Sequence, residues 1–294
     1  MDKKEQKYID LHVHTVYSDG NFTPKEIIKY CKKLNIVAVS ITDHDSTDGV
    51  REAIEEGIEE GIDVIPGVEL SVECEESCEG EVHILGYYID IEDKILQQKL
   101  EFFRKARQQR AYEIIEKLKT LNILLDKEEI FKNKNLTQSI GRLHFAKLMV
   151  EKKIVSSVKE AFDLYLGYNK PAYVPKIKLK PQEAISMIIE SKGIPVLAHP
   201  YLSIYIDSKT IKKFVEYGIK GIEVYHSRHH KNIIEELTNL AEKYELIITG
   251  GSDCHGTIDG STPLLGNIKI PYSLLAPLKK YKEKLGDNKQ FCLT

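Results

Sequence analysis

The chain has 294 residues, 42% of them hydrophobic and 30% charged, which is enough for a packed core and unlike a disordered composition. No apolar run approaches the ~18 residues of a membrane span, and the opening MDKKEQKYID lacks the apolar core of a signal peptide, so a cytoplasmic protein is expected. The net charge of −3 conceals a division: residues 41–94 hold 2 basic and 18 acidic side chains, whereas residues 95–180 hold 19 basic and 9 acidic ones, as if one part bound cations and the other anions.

In chain order, YIDLHVH reads as a buried strand. FTPKEIIKYCKKL is a helix with Thr23 as N-cap, Pro24 in the first helical position and Glu26 closing a capping box. IVAVSITDH is a β-branched strand, STDGVREAIEEGIEEG an acid-rich helix, and DVIPGVEL and EVHILGYYI are two strands joined directly. From about residue 92 the apolar spacing becomes helical for some thirty positions, and EEIFKN, GRLHFAKLMVEKK and SVKEAFDLYLG continue it. This helical stretch coincides with the basic segment, so residues 95–180 are read as an inserted subdomain within an α/β unit of residues 1–94 and 181–294. Near 181 the alternation resumes, with GIPVLAHP, IKGIEVYH and LIITGGSDCHG as strands between helices and PYSLLAPLKKYKEKL as the last helix. Seven strands alternating with helices favour a mostly parallel sheet, open or closed.

The five cysteines are odd in number and sparse, which argues against a disulfide framework. Cys74 and Cys78 form a C-x3-C pair without the second pair that a structural zinc site wants. Cys254 reads as a packing residue. The histidines are more informative: His12 and His14, His44, His199, His226 and His255 each fall at or just after a strand end, Glu69 ends another strand, and His83 lies inside the fourth. Catalytic residues contributed by several strand ends are the habit of (β/α) barrels, whereas an open sheet concentrates its site at one switch point. In HVH the two imidazoles share a strand face and can reach one metal, with Val13 packing on the other side. Apolar strands ending in charged residues, as at Asp43, His44 and Asp45, need a compensating partner, and a divalent cation is one. His229 and His230, in a charged SRHHKN loop, read as surface residues.

HVHTVYSDG, TDHDSTDG, GVELS, VHILGY, LAHP and GSDCHG, in this order, resemble the polymerase-and-histidinol-phosphatase (PHP) family of phosphoesterases over residues 8–94 and 181–256. The resemblance implies a distorted, TIM-barrel-like (β/α)7 barrel carrying three divalent metals. It assigns His12, His14, Glu69 and Asp253 to the first metal, lets Glu69 bridge to a second completed by His83 and His199, and gives Asp19, His44 and His255 to the third. Imidazoles and carboxylates without thiolate suit Mn, Fe or Zn, and the resemblance favours manganese. Closely spaced cations suit hydrolysis of a phosphate ester, since one lowers the pKa of water and the others neutralise phosphoryl and leaving-group charge. Asp43 and Asp45 are expected to orient ligands.

The inserted GRLHFAKLMV…AFDLYLGYNKPAYVP looks like the small stand-alone branch of the family. Those proteins are 3′,5′-nucleoside bisphosphate phosphatases and, in some members, 5′-to-3′ exoribonucleases on short RNA. Arg142 and His144, at a helix start, then match binders of the phosphate that is not hydrolysed, with Lys170 a further candidate. Tyr173 suits either base stacking or core packing, and Lys176, Lys178 and Lys180 read as solvated. The expected substrate is a small phosphorylated nucleotide or short single-stranded RNA, with no membrane and no obligate protein partner. Histidinol-phosphate phosphatase and a non-catalytic, metal-stabilised binding module are the alternatives.

Overall fold

A computed structural model describes residues 6–73, 82–131, 140–202, 208–257 and 262–287. Cys74 and Cys78 lie outside the described residues. The elements run β1 (Tyr8–Val13), α1 (Pro24–Lys33), β2 (Ile36–Ile41), α2 (Asp48–Glu60), β3 (Asp63–Val72), β4 (Val82–Tyr87), α3 (Lys94–Thr120), α4 (Lys127–Phe131), α5 (Arg142–Glu151), α6 (Val158–Ala161) and a π-helical turn, Phe162–Leu166. There follow α7 (Pro181–Glu190), β5 (Ile194–Leu197), α8 (Ser208–Glu216), β6 (Gly221–His226), α9 (Lys231–Lys243), β7 (Ile247–Gly251), β8 (Ile270–Pro271) and α10 (Leu275–Asp287).

The strands form one sheet in the order β7-β6-β5-β4-β3-β2-β1-β8. It curls until β1 meets the end of β7. The Asp253 amide donates to the His12 carbonyl and the His14 amide to the Cys254 carbonyl, both at 2.9 Å. Gly251 permits this approach, because a Cβ there would lie 2.3 Å from the Cβ of His12. The result is a nearly closed seven-strand barrel with β8 as a two-residue antiparallel addition to the start of β1.

One strand runs against the rest. β4 is antiparallel to both β3 and β5, and the nine residues 73–81 between β3 and β4 are fewer than a parallel crossover needs. The N-terminal end of β4 therefore lies with the C-terminal ends of the other strands. His83, second in β4, reaches the same rim as the strand-end histidines for this reason.

Local chemistry accounts for the flanking helices. In α1 the Thr23 hydroxyl accepts from the Glu26 amide, and the Glu26 carboxylate accepts from the Thr23 amide at 2.8 Å. Ile27, Ile28 and Cys31 of α1 are fully buried against Val39, Val50 and Cys254. Each such aliphatic side chain stabilises the fold by ~1.5–3 kcal/mol.

Between β4 and α7 the described chain is helical apart from its connections. Ala111, Ile114, Leu118, Phe145, Met149 and Leu166 are among the residues of a hydrophobic cluster belonging to this stretch. Leu96, Leu100 and Phe103, nearer the start of α3, pack instead with the barrel residues Val68, Ile84 and Ile185. One helix thus serves both packing units. No helix among the described residues is long and apolar enough to cross a membrane.

Candidate metal centre

His12, His14, Asp19, His44, Glu69, His83, His199, Asp253 and His255 converge at the rim of the barrel. Their donor atoms fall into four overlapping groups: His14, Asp19, His44 and His255; His12, His14 and Asp253; His12, Glu69 and His199; and His44, Glu69 and His83. Within each group the atoms lie within 4.8 Å of one another.

Glu69 is the hub. Its Oε1 lies 2.8 Å from His83 Nδ1, 3.0 Å from His199 Nε2 and 3.4 Å from His12 Nε2, and its Oε2 lies 2.9 Å from His44 Nδ1 and 3.3 Å from His14 Nε2. It does not end its strand, as the sequence suggests. β3 continues to Val72, and Glu69 sits within it opposite Leu85 of β4. His14 in turn lies one residue beyond β1, while Val13 packs on the far side against Ile27 and Ile41.

Burial alone would raise the carboxyls of Glu69, Asp19 and Asp253. The imidazoles around them outweigh burial and hold all three well below the usual carboxylate range. His255 is pushed up to about 10, since Asp19 and Asp253 overcome its burial, whereas burial takes His44 down to about 4 against the pull of Glu69 and Asp19.

The arrangement fits divalent cations. His12 Nε2 and His14 Nε2 lie 3.2 Å apart, and two imidazole lone pairs at that distance repel unless a proton or a metal lies between them. Asp19 Oδ1, Glu69 Oε2 and His44 Nδ1 are buried without a hydrogen bond, although the last two are neighbours. Donors close together but misaligned for hydrogen bonding suit common ligation of a third atom. Ionised buried carboxylates also call for positive charge, which divalent cations supply once the imidazoles give up their protons to ligate.

Surrounding residues aim the donors. Glu223 of β6, fully buried, lies 3.1 Å from His12 Nδ1 and accepts the His199 amide at 2.8 Å. A proton on His12 Nδ1 leaves the Nε2 lone pair facing the cluster. Asp43 accepts from the Thr15 amide at 2.8 Å, from the Thr15 hydroxyl at 2.6 Å and from the Ser18 hydroxyl, whose oxygen lies 3.4 Å from His14 Nδ1. Asp45 instead accepts Nε and Nη2 of Arg107, from α3, at 2.7 and 2.5 Å. Asp45, His199 and Asp253 have φ of 50°, 25° and 55°, a left-handed conformation that costs on the order of 1 kcal/mol or more per residue and clusters at functional sites.

Two histidines read differently from their sequence context. His229 is buried, not on the surface. Its Nδ1 lies 2.9 Å from the Val224 carbonyl and its ring 5.2 Å from that of His226. His226, a strand-end histidine outside the expected ligand set, is also buried, with Nε2 3.4 Å from Asp253 Oδ2. Its Nδ1 accepts the Arg228 amide, which places the proton of the neutral ring on Nε2 and leaves no lone pair there for a metal. Glu223 was readable only as an acid inside the apolar run GIEVYH. Cys254 is buried, as its neighbours suggest.

The insertion meets the rim at the start of α5. A Cβ on Gly141 would lie 4.0 Å from both Asp19 Oδ2 and Arg107 Nη1, and Lys147 Nζ donates to the Asp19 carbonyl at 3.5 Å. Arg142 follows directly. Its Nη1 donates to the Leu166 carbonyl at 3.2 Å, and its guanidinium lies over the rings of Phe162 and Tyr173 at 5.5 Å. His144 Nδ1 accepts the Gly141 amide at 3.0 Å, which closes the turn. Lys170 is exposed, with its backbone amide on the Gly167 carbonyl. Lys176 is half-buried, contrary to the solvated reading, and donates to the Ser71 hydroxyl.

A barrel with histidines and carboxylates gathered from most of its strand ends, and an insertion beside them, defines a metal-dependent hydrolase. The PHP domain family matches residues 10–190, and the chain belongs to it. The chain is 34% identical over 254 residues to the 5′-3′ exoribonuclease Rnm of Escherichia coli (strain K12), covering 84% of each protein. It is 30% identical over 255 residues to the 3′,5′-nucleoside bisphosphate phosphatase of Chromobacterium violaceum, covering 86% of this chain and 88% of that one. The crystal structure of a predicted metal-dependent phosphoesterase from Bifidobacterium adolescentis matches with a TM-score of 0.84 and 26% identity, over 93% of this chain and 96% of that one. This chain is therefore a metal-dependent enzyme acting on phosphoester bonds.

Proposed function

We propose that this phosphoesterase removes the 3′-phosphate of 3′,5′-nucleoside bisphosphates and also shortens short RNA from its 5′ end. The observation that carries this reading is the seat of α5: the insertion sets Gly141 against Asp19 at the cluster, so a substrate held there by the insertion lies beside the donors. The names of the E. coli and C. violaceum relatives support the same substrate class.

In this reading three divalent cations, manganese foremost, are held by His12, His14, Asp253 and Glu69, by Glu69, His83 and His199, and by Asp19, His44 and His255. Bound there, the cations acidify water and neutralise phosphoryl charge. The protein's own work is positioning. Glu223 fixes the His12 tautomer, and Asp43 with Ser18 steadies His14. Arg142 and His144, with Lys170 more loosely, receive the phosphate that stays on the nucleoside.

Phosphate release from adenosine 3′,5′-bisphosphate, adenosine 5′-monophosphate and histidinol phosphate, with manganese present, tests the substrate. The bisphosphate is expected to have the highest kcat/KM, and Arg142→Ala to raise KM more than it lowers kcat. Preference for histidinol phosphate or for the mononucleotide would contradict the reading.

A further inference from the structure

The inner wall of the barrel carries a polar pair just above the donors that the ligand groups do not use. Val68, Leu70 and Val72 of β3 pack outward with Leu100 of α3 and Ile185 of α7, so Glu69 and Ser71 share the inner face. Leu85, paired with Glu69 across the strands, packs among the interior residues Ile9, Leu11 and Val196. Ser71 is the next inner-face position beyond Glu69 toward the mouth, and it stands directly opposite His83. Ser71 is 3% exposed. Its hydroxyl accepts from the ammonium of Lys176, and no described residue accepts the hydroxyl's own proton. Lys176 is brought there by the chain leaving the insertion. The Leu179 amide donates to the Ser71 carbonyl at 3.3 Å, and the Glu73 amide donates to the Leu179 carbonyl at 2.7 Å. Backbone pairing thus fixes this chain against the open end of β3.

We propose that the Ser71 hydroxyl and the Lys176 ammonium form a clamp for the oxygens of the phosphoryl group that is cleaved, above the donors Glu69, His83 and His199. The proposal rests on the phosphoesterase activity and on no particular substrate, and it concerns the reacting phosphate, not the one given to Arg142 and His144. The layering of β3 and β4 carries it. A phosphoryl group at these donors meets Ser71 as the adjoining inner-face group, because Ser71 follows Glu69 on one strand and faces His83 on the other. A hydroxyl whose oxygen accepts from a cation is a better donor through its own proton. Charge-assisted hydrogen bonds to phosphate are the strong ones, and fixed donors aimed at phosphoryl oxygens need no reorganisation as charge develops. A lysine that served only to fasten the insertion would not need an acceptor on the inner face, since the pairing of Leu179 with Ser71 and Glu73 already fastens it.

The test measures binding of inorganic phosphate, the product of every phosphomonoester hydrolysis, to the manganese-loaded full chain by equilibrium dialysis, beside kcat/KM on adenosine 3′,5′-bisphosphate. Wild type, Lys176→Met, Lys176→Arg and Ser71→Ala are compared, with bound manganese counted in each. Lys176→Met is expected to raise the phosphate Kd about 10- to 100-fold, the usual worth of a hydrogen bond to a charged group, and to lower kcat/KM by a similar factor. Lys176→Arg should recover most of the loss, and Ser71→Ala should weaken phosphate binding without loss of manganese. A phosphate Kd unchanged in either Lys176→Met or Ser71→Ala, or equal weakening in Lys176→Met and Lys176→Arg, would overturn the clamp. So would loss of manganese from Ser71→Ala, since Ser71 would then serve the donors, or a wild type that binds no phosphate. Phosphate binding that needs both residues, in a chain that leaves adenosine 3′,5′-bisphosphate intact, would support the clamp and contradict the substrate reading above.

Discussion

Glu223 shows how much of a donor set is decided by residues that touch no metal themselves. It is buried, its carboxyl is held below the usual range because His12, His226 and His199 outweigh burial, and it meets both the His12 ring and the His199 amide. Loss of its charge frees the His12 ring to change tautomer. Glu223→Gln is expected to weaken metal binding about 10- to 100-fold, as measured by competition with a chromophoric chelator. Affinity equal to wild type would mean that His12 is oriented by packing alone. At this scale the strand-end histidines and acids were legible, because each lies next to an apolar run in the sequence. Glu223 and His229 were not. An acid inside a strand reads as solvent-facing, and a histidine in SRHHKN reads as surface, until the β6 end folds it back onto Val224.

Among the elements, α3 makes a second contact with the rim, besides that of α5. Arg107 is buried and binds buried Asp45, the neighbour of His44, while the Asp45 amide donates to the Glu69 carbonyl at 3.0 Å. Removing one partner of a buried pair strands the other charge, at a cost of about 3–5 kcal/mol. Arg107→Met is therefore expected to lower stability by about that much in urea unfolding. The double variant Arg107→Met with Asp45→Asn should recover part of the loss, because neither charge is then left alone. Strictly additive losses would mean that the two residues act independently. Asp45 was expected to orient a ligand, whereas its carboxylate holds Arg107, a pairing that was not legible because nothing local links positions 62 residues apart. The reversal of β4 was half legible: a direct link between two strands implies it, and it explains why His83 near a strand start meets histidines from strand ends.

For the whole molecule, the barrel and the order of its motifs were readable because periodicity and strand-end chemistry agree. What was not readable is the contact that closes it, the approach of Gly251 to His12. The rim packs ionised carboxylates among imidazoles, so the folded state without cations carries unfavourable desolvation that ligation relieves. A ligand that binds only the native state stabilises it by about 2.7 kcal/mol at a hundredfold excess over Kd. Chelation is expected to lower Tm by several degrees, restored by adding metal back. An unchanged Tm would mean that the described donors do not ligate.

The charge division seen in the sequence narrows to a few residues. Among the described acids of residues 41–94, four are buried and the others lie at least partly in solvent, and the part of this segment that matters is Asp43, His44, Asp45, Glu69 and His83. The most direct measurement of the account is a titration of Mn²⁺ into metal-stripped protein, following bound metal per chain and phosphate release from adenosine 3′,5′-bisphosphate together. Activity should rise with uptake of more than one ion per chain, and His14→Ala should lose both uptake and turnover. Full activity with less than one ion bound, or saturation with metal and no phosphate released, would contradict it.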